Sequence, residues 1–275
     1  MKYLFRVYQW LIAAPLILVA TIVTLIVVII GGQFDSNWCG YYPPRLWSRI
    51  WCWLLGVKVE VRNRERINKE TSYVFVANHQ GAFDIFSIYG YLGHNFKWLM
   101  RKGLANIPLI GLACRCAGHI MVDTHSAGGL KQTVADAKRK LDRGVSIVVF
   151  PEGRRTDTGL MAPFKAGAFK LATEFGLPVV PLTIDGSYRV MPRSTFNVTP
   201  GKIIITIHDP IPPGENGHDS EAVMEASRAA IASVLPEEQG RQVNRIEDAS
   251  WNRRSTITHP RCKASASSCL PTATA

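Results

Sequence analysis

Val74-Phe75-Val76-Ala77-Asn78-His79-Gln80-Gly81-Ala82-Phe83-Asp84 begins as a short apolar run and stops abruptly at an Asn-His pair. A run of that length and composition, closed by polar residues and a Gly, reads as a buried strand entering a turn. Asp84 follows His79 by five positions, one turn into the next element. An imidazole at the end of a buried strand, with a carboxylate on its second nitrogen, is what a general base needs. Imidazole accepts a proton near neutral pH, and the carboxylate fixes its tautomer. The same spacing also suits a structural histidine.

Outward from this stretch the pattern repeats. Val57, Val59 and Val61 alternate with Lys58, Glu60 and Arg62, the period-two signature of a half-exposed strand. Apolar runs at 73–77, 96–100, 119–122, 146–150, 179–184 and 203–208 read as buried strands. Between them Leu130, Val134, Ala137 and Leu141 form one helical stripe, with Lys131, Lys138, Arg139 and Lys140 outside it. Alternation of this kind predicts an α/β domain with a largely parallel or mixed sheet flanked by helices. A last helix is expected over 220–235, with Glu221 and Glu225 near its positive end.

The N-terminal region has a different character. Trp10 to Gly32 contains no charged residue, and at 1.5 Å per residue it is long enough to cross a hydrocarbon core of about 30 Å. Lys2 and Arg6 precede it, as in a signal peptide, but the apolar run is too long and no clear cleavage site follows. An uncleaved anchor is expected, either spanning the bilayer or inserted in one leaflet. Trp38, Tyr41, Tyr42, Trp47, Trp51 and Trp53, interleaved with Arg45 and Arg49, then read as an interfacial segment or as an amphipathic helix packed on the domain. The expected organisation is an anchor and aromatic segment over 1–57, a catalytic domain over 58–236 and a polar, disordered tail over 237–275. Most Lys and Arg follow the anchor, which predicts an inner-membrane protein whose domain faces the cytoplasm.

Lys and Arg number 32 against 21 Asp and Glu, a net charge of +11. That excess favours anionic partners. The basic residues are spread along the chain without a nucleic-acid reader motif, which leaves phosphorylated substrates and anionic membrane. The six cysteines, at 39, 52, 114, 116, 262 and 269, lack both zinc-site pairs and the density of a disulfide scaffold. They read as reduced thiols in a cytosol-facing chain. No metal site and no cofactor are expected.

Three further stretches carry chemistry. Phe150-Pro151-Glu152-Gly153-Arg154-Arg155-Thr156 ends an apolar strand in a turn whose Gly allows close backbone approach and whose arginines offer donor forks suited to phosphate. Arg101-Lys102-Gly103 opens a segment bracketed by Pro108 and Gly111, with cations placed to meet an anionic head group or to flank a turn. Leu177 to Gly186 carries Pro178 and Pro181 near a strand's start, which reads as an edge strand or an opening bend.

Together these stretches resemble the glycerolipid acyltransferase family, in particular the bacterial 1-acyl-sn-glycerol-3-phosphate (lysophosphatidic acid) acyltransferases. Asn78, His79 and Asp84 match the family's Asn-His, four variable residues, Asp. Residues 150–156 match its Phe-Pro-Glu-Gly-Thr-Arg-Ser, with Arg154 in place of Thr and Thr156 in place of Ser. The blocks at 101–111 and 177–186 follow in the family's order. One departure stands out: after 119–122 the family has Asp-Arg, and this chain has Asp123-Thr124. Arg154 is a candidate to supply the missing charge.

The resemblance implies acyl transfer from acyl-CoA or acyl carrier protein to the free hydroxyl of lysophosphatidic acid, giving phosphatidic acid for phospholipid synthesis. His79 would be the base and Asp84 its orienting partner. Lys102, Glu152, Gly153, Arg154, Arg155 and Thr156 would bind the acceptor. No G-x-S-x-G nucleophile elbow occurs, so direct attack without an acyl-enzyme is expected. Backbone amides near Gly81 or Gly153 are candidate oxyanion donors. Other acceptors, such as glycerol 3-phosphate, another lysophospholipid or a lyso-aminolipid, stay open, as does a non-catalytic lipid-binding protein. The implied partners are membrane lipids, with no nucleic acid.

Overall fold

A computed structural model describes residues 2–122, 144–213 and 220–236. The expected helix over 130–141, Asp123 and Thr124, and the tail over 237–275 lie outside the described residues.

The domain is built on seven strands: β1 (Val57–Arg62), β2 (Val74–Ala77), β3 (Phe96–Arg101), β4 (Ile120–Val122), β5 (Ser146–Val149), β6 (Val179–Asp185) and β7 (Gly201–Ile207). Each expected run forms a strand whose ends differ from the expectation by two residues or fewer. They form one sheet in the order β1-β7-β6-β2-β5-β3-β4. Neighbours are parallel except β6 and β7, so the sheet is mixed.

The helices among the described residues are α1 (Lys2–Tyr8), α2 (Ala14–Gly31), α3 (Ser36–Cys39), α4 (Tyr42–Leu54), α5 (Phe83–Tyr91), α6 (Ile110–Cys116), α7 (Gly167–Phe175), α8 (Ser187–Val190) and α9 (Ser220–Ala232). Successive β2 residues point to opposite faces, as pleating requires. Phe75 and Ala77 join Phe83, Phe86 and Ile88 of α5 and Cys52 and Leu54 of α4 in the larger core. Val74 and Val76 pack under Ala168 and Phe169 of α7 and Val223 of α9.

Strand β6 corrects the edge-strand expectation, because it lies between β7 and β2. Pro181 is tolerated there because of where its missing N–H falls. His208, one residue past β7, donates to the Pro181 carbonyl (3.0 Å). The Pro181 nitrogen faces that same side, so the missing donor falls where the β7 ladder ends and β6 loses a single bond.

The N-terminal helix runs from α1 through a π-helical turn (Gln9–Ala13) into α2. Pro15 in the first turn of α2 has no N–H for the Leu11 carbonyl and crowds it, and Ala14 donates to the Gln9 carbonyl five residues back. Tyr3–Gly31 is long and apolar enough to cross a membrane. Even so, α2 lies against the domain along its whole length. Ala13 and Ile17 enter the larger core, Thr21 accepts from the Trp47 indole (2.9 Å), and Val28 packs on Ala113 and Ala117 next to α6. At its end a Cβ on Gly32 would sit 2.5 Å from the Cys116 carbonyl oxygen.

Helix α4 forms over the aromatic segment and packs on the domain through one face, leaving the other exposed. Trp51 stacks on Phe86 (4.4 Å between rings) while Tyr42, Leu46 and Trp53 are exposed. Arg49 does not simply snorkel: its Nε donates to the Gly90 carbonyl (2.8 Å), and Arg64 donates to the Tyr91 and Leu92 carbonyls (2.7 and 2.8 Å). Both cations thus serve the negative end of α5.

Candidate active site

Strands β2 and β5 are parallel neighbours, with Val76 beside Val149. The turns that follow them emerge side by side at the carboxyl edge, where α/β sheets bind ligands. Asn78 anchors the first turn. Its side-chain amide donates to the Ile184 carbonyl (2.9 Å) and accepts from the Ile184 N–H (2.8 Å), extending the ladder into β6.

His79 Nδ1 lies 2.8 Å from Asp84 Oδ2. The same oxygen accepts from the backbone N–H groups of Gln80 (2.7 Å) and Gly81 (2.8 Å). Since Asp84 lies in the first turn of α5, strand end and helix start lock together through one carboxylate oxygen. An ionised carboxylate only accepts, so facing one, the imidazole donates from Nδ1 and leaves Nε2 as its acceptor. Phe150 stacks on the imidazole at 3.9 Å, 9° from coplanar, and fixes the ring plane.

The turn after β5 closes on the same histidine. Glu152 is buried, and its oxygens accept from the His79 N–H (2.7 Å) and the Ala162 N–H (2.8 Å). Thr156 N–H returns a bond to the His79 carbonyl (3.0 Å). Burial, with a smaller contribution from Asp84, pushes the Glu152 carboxyl up to about 8, against the backbone donors and the cation of Arg228 on α9.

The other residues expected at the site spread outward from this centre. Gly153 adopts φ +74°, a left-handed turn that a side chain would strain. Arg154 is exposed, with a guanidinium nitrogen 3.8 Å from Asp157. Arg155 is half-buried, and its side chain has no carboxylate partner among the described residues. Thr156 is buried. Lys102 is exposed and opens the 3-10 turn Lys102–Asn106 after β3, on the same sheet edge with β5 between it and β2.

The oxyanion candidates need correction. Gly81 N–H is committed to Asp84 (2.8 Å) and Gly153 N–H to the Phe150 carbonyl (3.0 Å), so neither donates without losing a bond.

Sequence reading missed three contributors. Arg193 pairs with Asp157 (3.2 Å) from a loop without a motif, making a second arginine on that carboxylate after Arg154. Arg228 reaches the Glu152 field from the last helix, where it reads as a solvated cation. An apolar groove of about 320 Å³ is lined by Gln9, Trp10, Ile17, Trp51, Met191 and Phe196. Its wall adjoins the His79 turn: a Cβ on Gly81 would lie 3.0 Å from the Met191 carbonyl oxygen. Helical or loop context hides such tertiary neighbours from any linear spacing.

The region holding these turns, residues 58–185, matches the family model described as acyltransferase. Residues 58–185 are a domain of the acyltransferase family. The chain is 33% identical over 183 residues to a 1-acyl-sn-glycerol-3-phosphate acyltransferase of Chlamydomonas reinhardtii, covering 66% of this chain and 54% of that one. It is 30% identical over 187 residues to the alpha form from Ovis aries, covering 67% and 65%. The chain thus spans about half to two thirds of these relatives' length. The crystal structure of the 1-acyl-sn-glycerophosphate (LPA) acyltransferase PlsC from Thermotoga maritima superposes with a TM-score of 0.65 at 24% identity, covering 85% of this chain and 95% of that one. That likeness shows a shared fold. The acyltransferase domain carries the His79–Asp84 pair and the Glu152 turn, while Arg193 and Arg228 lie beyond its matched boundary.

Proposed function

We propose that this chain transfers an acyl group from a thioester, on coenzyme A or acyl carrier protein, to the free hydroxyl of 1-acyl-sn-glycerol-3-phosphate. The carboxylate-held imidazole of His79 carries this reading. Nε2 takes the hydroxyl proton as the oxygen attacks the thioester carbonyl, and Asp84 stabilises the imidazolium. The tetrahedral intermediate collapses to phosphatidic acid and a thiolate, which recovers the proton from His79. Every atom transferred comes from the two substrates, with no covalent enzyme intermediate and no cofactor.

Arg155, with Arg154 and Arg193 beside it, supplies charge and donor forks for the acceptor phosphate. Lys102 adds a cation at the same edge. Glu152 serves the site by holding the His79 backbone, and the apolar groove suits an acyl chain. The names of the relatives in alga and sheep point to the same acceptor.

The membrane geometry supports a reaction on bilayer lipids. A helix packed along its full length on the domain leaves that domain no room outside the membrane unless the helix lies in the leaflet plane. The α1–α2 helix therefore serves as an in-plane anchor. The excess of Lys and Arg after it supports a domain that faces the cytoplasm at the inner membrane.

Purified protein in phosphatidylcholine vesicles, given one acyl-CoA and a panel of lysophosphatidic acid, glycerol 3-phosphate and lysophosphatidylcholine, tests this assignment. Lysophosphatidic acid should be acylated far faster than the others. Equal or better turnover of another acceptor would overturn the assignment, and no product with any acceptor would favour a lipid-binding role.

A further inference from the structure

Apart from Lys102 itself, the segment from Lys102 to Leu112 is not consumed by the chemistry above, and its physical character is unusual for a loop on an α/β domain. Leu104, Ile107, Leu109, Ile110 and Leu112 all expose their side chains, Leu109 to 63%. Its backbone is well tied. Gly111 N–H donates to the Ile107 carbonyl (2.8 Å), and Arg115 donates to the Ala105 carbonyl (3.1 Å). An apolar surface presented by a hydrogen-bonded element is a built surface awaiting a partner.

The tip is a strained turn. Leu109 has φ 61° and ψ −50°, and Ile110 N–H donates to the Pro108 carbonyl (2.6 Å), which makes a γ-turn of the rare, strained kind. Such a conformation in a residue other than Gly costs about 1–3 kcal/mol, and persists where the surroundings hold it. Here it aims a leucine outward.

What covers this surface follows from its neighbour. Helix α6 packs its inner face, through Ala113 and Ala117, on Val28 of the anchor helix, and the carbonyl of Cys116 abuts Gly32. The exposed leucines and isoleucines of 104–112 thus lie on an element packed against α2, which itself exposes Ile22, Val23, Ile26 and Ile30. Lys102 and Arg115, both exposed, bracket the patch. Apolar residues between cations suit an anionic bilayer surface.

We infer that Lys102–Leu112 is a second lipid-contacting element, borne by the acyltransferase domain itself, which enters the same leaflet as α2 with Leu109 at its tip. The inference rests on the membrane association of α2. It gives the sheet edge carrying His79 a fixed depth, because β3 delivers this segment from that same edge.

Site-directed fluorescence tests this without reference to activity. An environment-sensitive NBD probe is attached at Leu109→Cys in the full chain with its own cysteines replaced by serine, and mixed phosphatidylcholine and phosphatidylglycerol vesicles are added. Probes at Ile22→Cys on α2 and at Lys170→Cys on α7, across the sheet, serve as references. The 109 probe should shift its emission to the blue and be quenched by acyl-chain spin-labelled lipid, as the 22 probe is, while the 170 probe stays in water. A 109 probe that stays water-like while the 22 probe enters the bilayer would overturn the inference and leave the acyl-transfer proposal standing. If neither probe moves, the inference falls together with the in-plane anchor.

Discussion

At the scale of single residues, the site depends on one carboxylate oxygen that serves both a side chain and the turn. Asp84→Asn keeps an acceptor for the Gln80 and Gly81 amides but removes the charge that stabilises imidazolium. It should lower kcat about a thousandfold while the fold survives, checked by single-turnover acylation and circular dichroism. Glu152 makes a separate prediction through linkage. Its carboxyl is raised from an ordinary 4.5 to about 8, so the folded state holds this proton more tightly than the unfolded one. The stabilisation is complete below pH 4.5 and is lost as pH rises through about 8. Its size is of order 5 kcal/mol. Unfolding in detergent as a function of pH should therefore show this slope in the wild type and not in Glu152→Gln; identical slopes would contradict it. The contact between His79 and Asp84 was legible in sequence because it rests on a short-range spacing. The part Glu152 plays was not, since its bonds to His79 and Ala162 join backbone that only the sheet brings together.

At the scale of elements, the strands were legible because each is a short apolar run bounded by polar or glycine-bearing turns. Pro178 and Pro181 misled, because a proline marks a missing donor but not which side of the strand it faces. The close approaches were also hidden. A Cβ on Gly81 would lie 2.8 Å from the Ser187 carbonyl oxygen and 3.0 Å from that of Met191, both backbone atoms at the ends of α8. Gly81→Ala should therefore displace α8 or the His79 turn and reduce turnover more than it reduces stability, a contrast that kcat and melting temperature measured together will reveal. At Gly32, a methyl group would meet the Cys116 and Val28 carbonyl oxygens at 2.5 Å. Gly32→Ala should lower stability by about 1–3 kcal/mol through overpacking of α2 on α6, read from thermal unfolding in detergent.

At the scale of the whole molecule, His79, an arginine cluster and an apolar groove share one edge of the sheet, and an apolar helix long enough to cross a membrane packs on the same domain. Composition and periodicity announced the helix, but hydropathy cannot distinguish a span from a helix lying in the leaflet. The contacts from Ala13 to Gly32 are the ground on which the in-plane proposal rests. In sealed inside-out vesicles, cysteine probes placed along α2 should stay unreactive to impermeant reagents from the far side, and labelling of any α2 position from that side would contradict the in-plane anchor. The central claim is chemical, and the most direct measurement is formation of phosphatidic acid from labelled acyl-CoA and lysophosphatidic acid by purified wild type and His79→Ala. The account predicts product with the wild type and none above background with a folded, vesicle-bound His79→Ala protein; sustained turnover by that variant would contradict it.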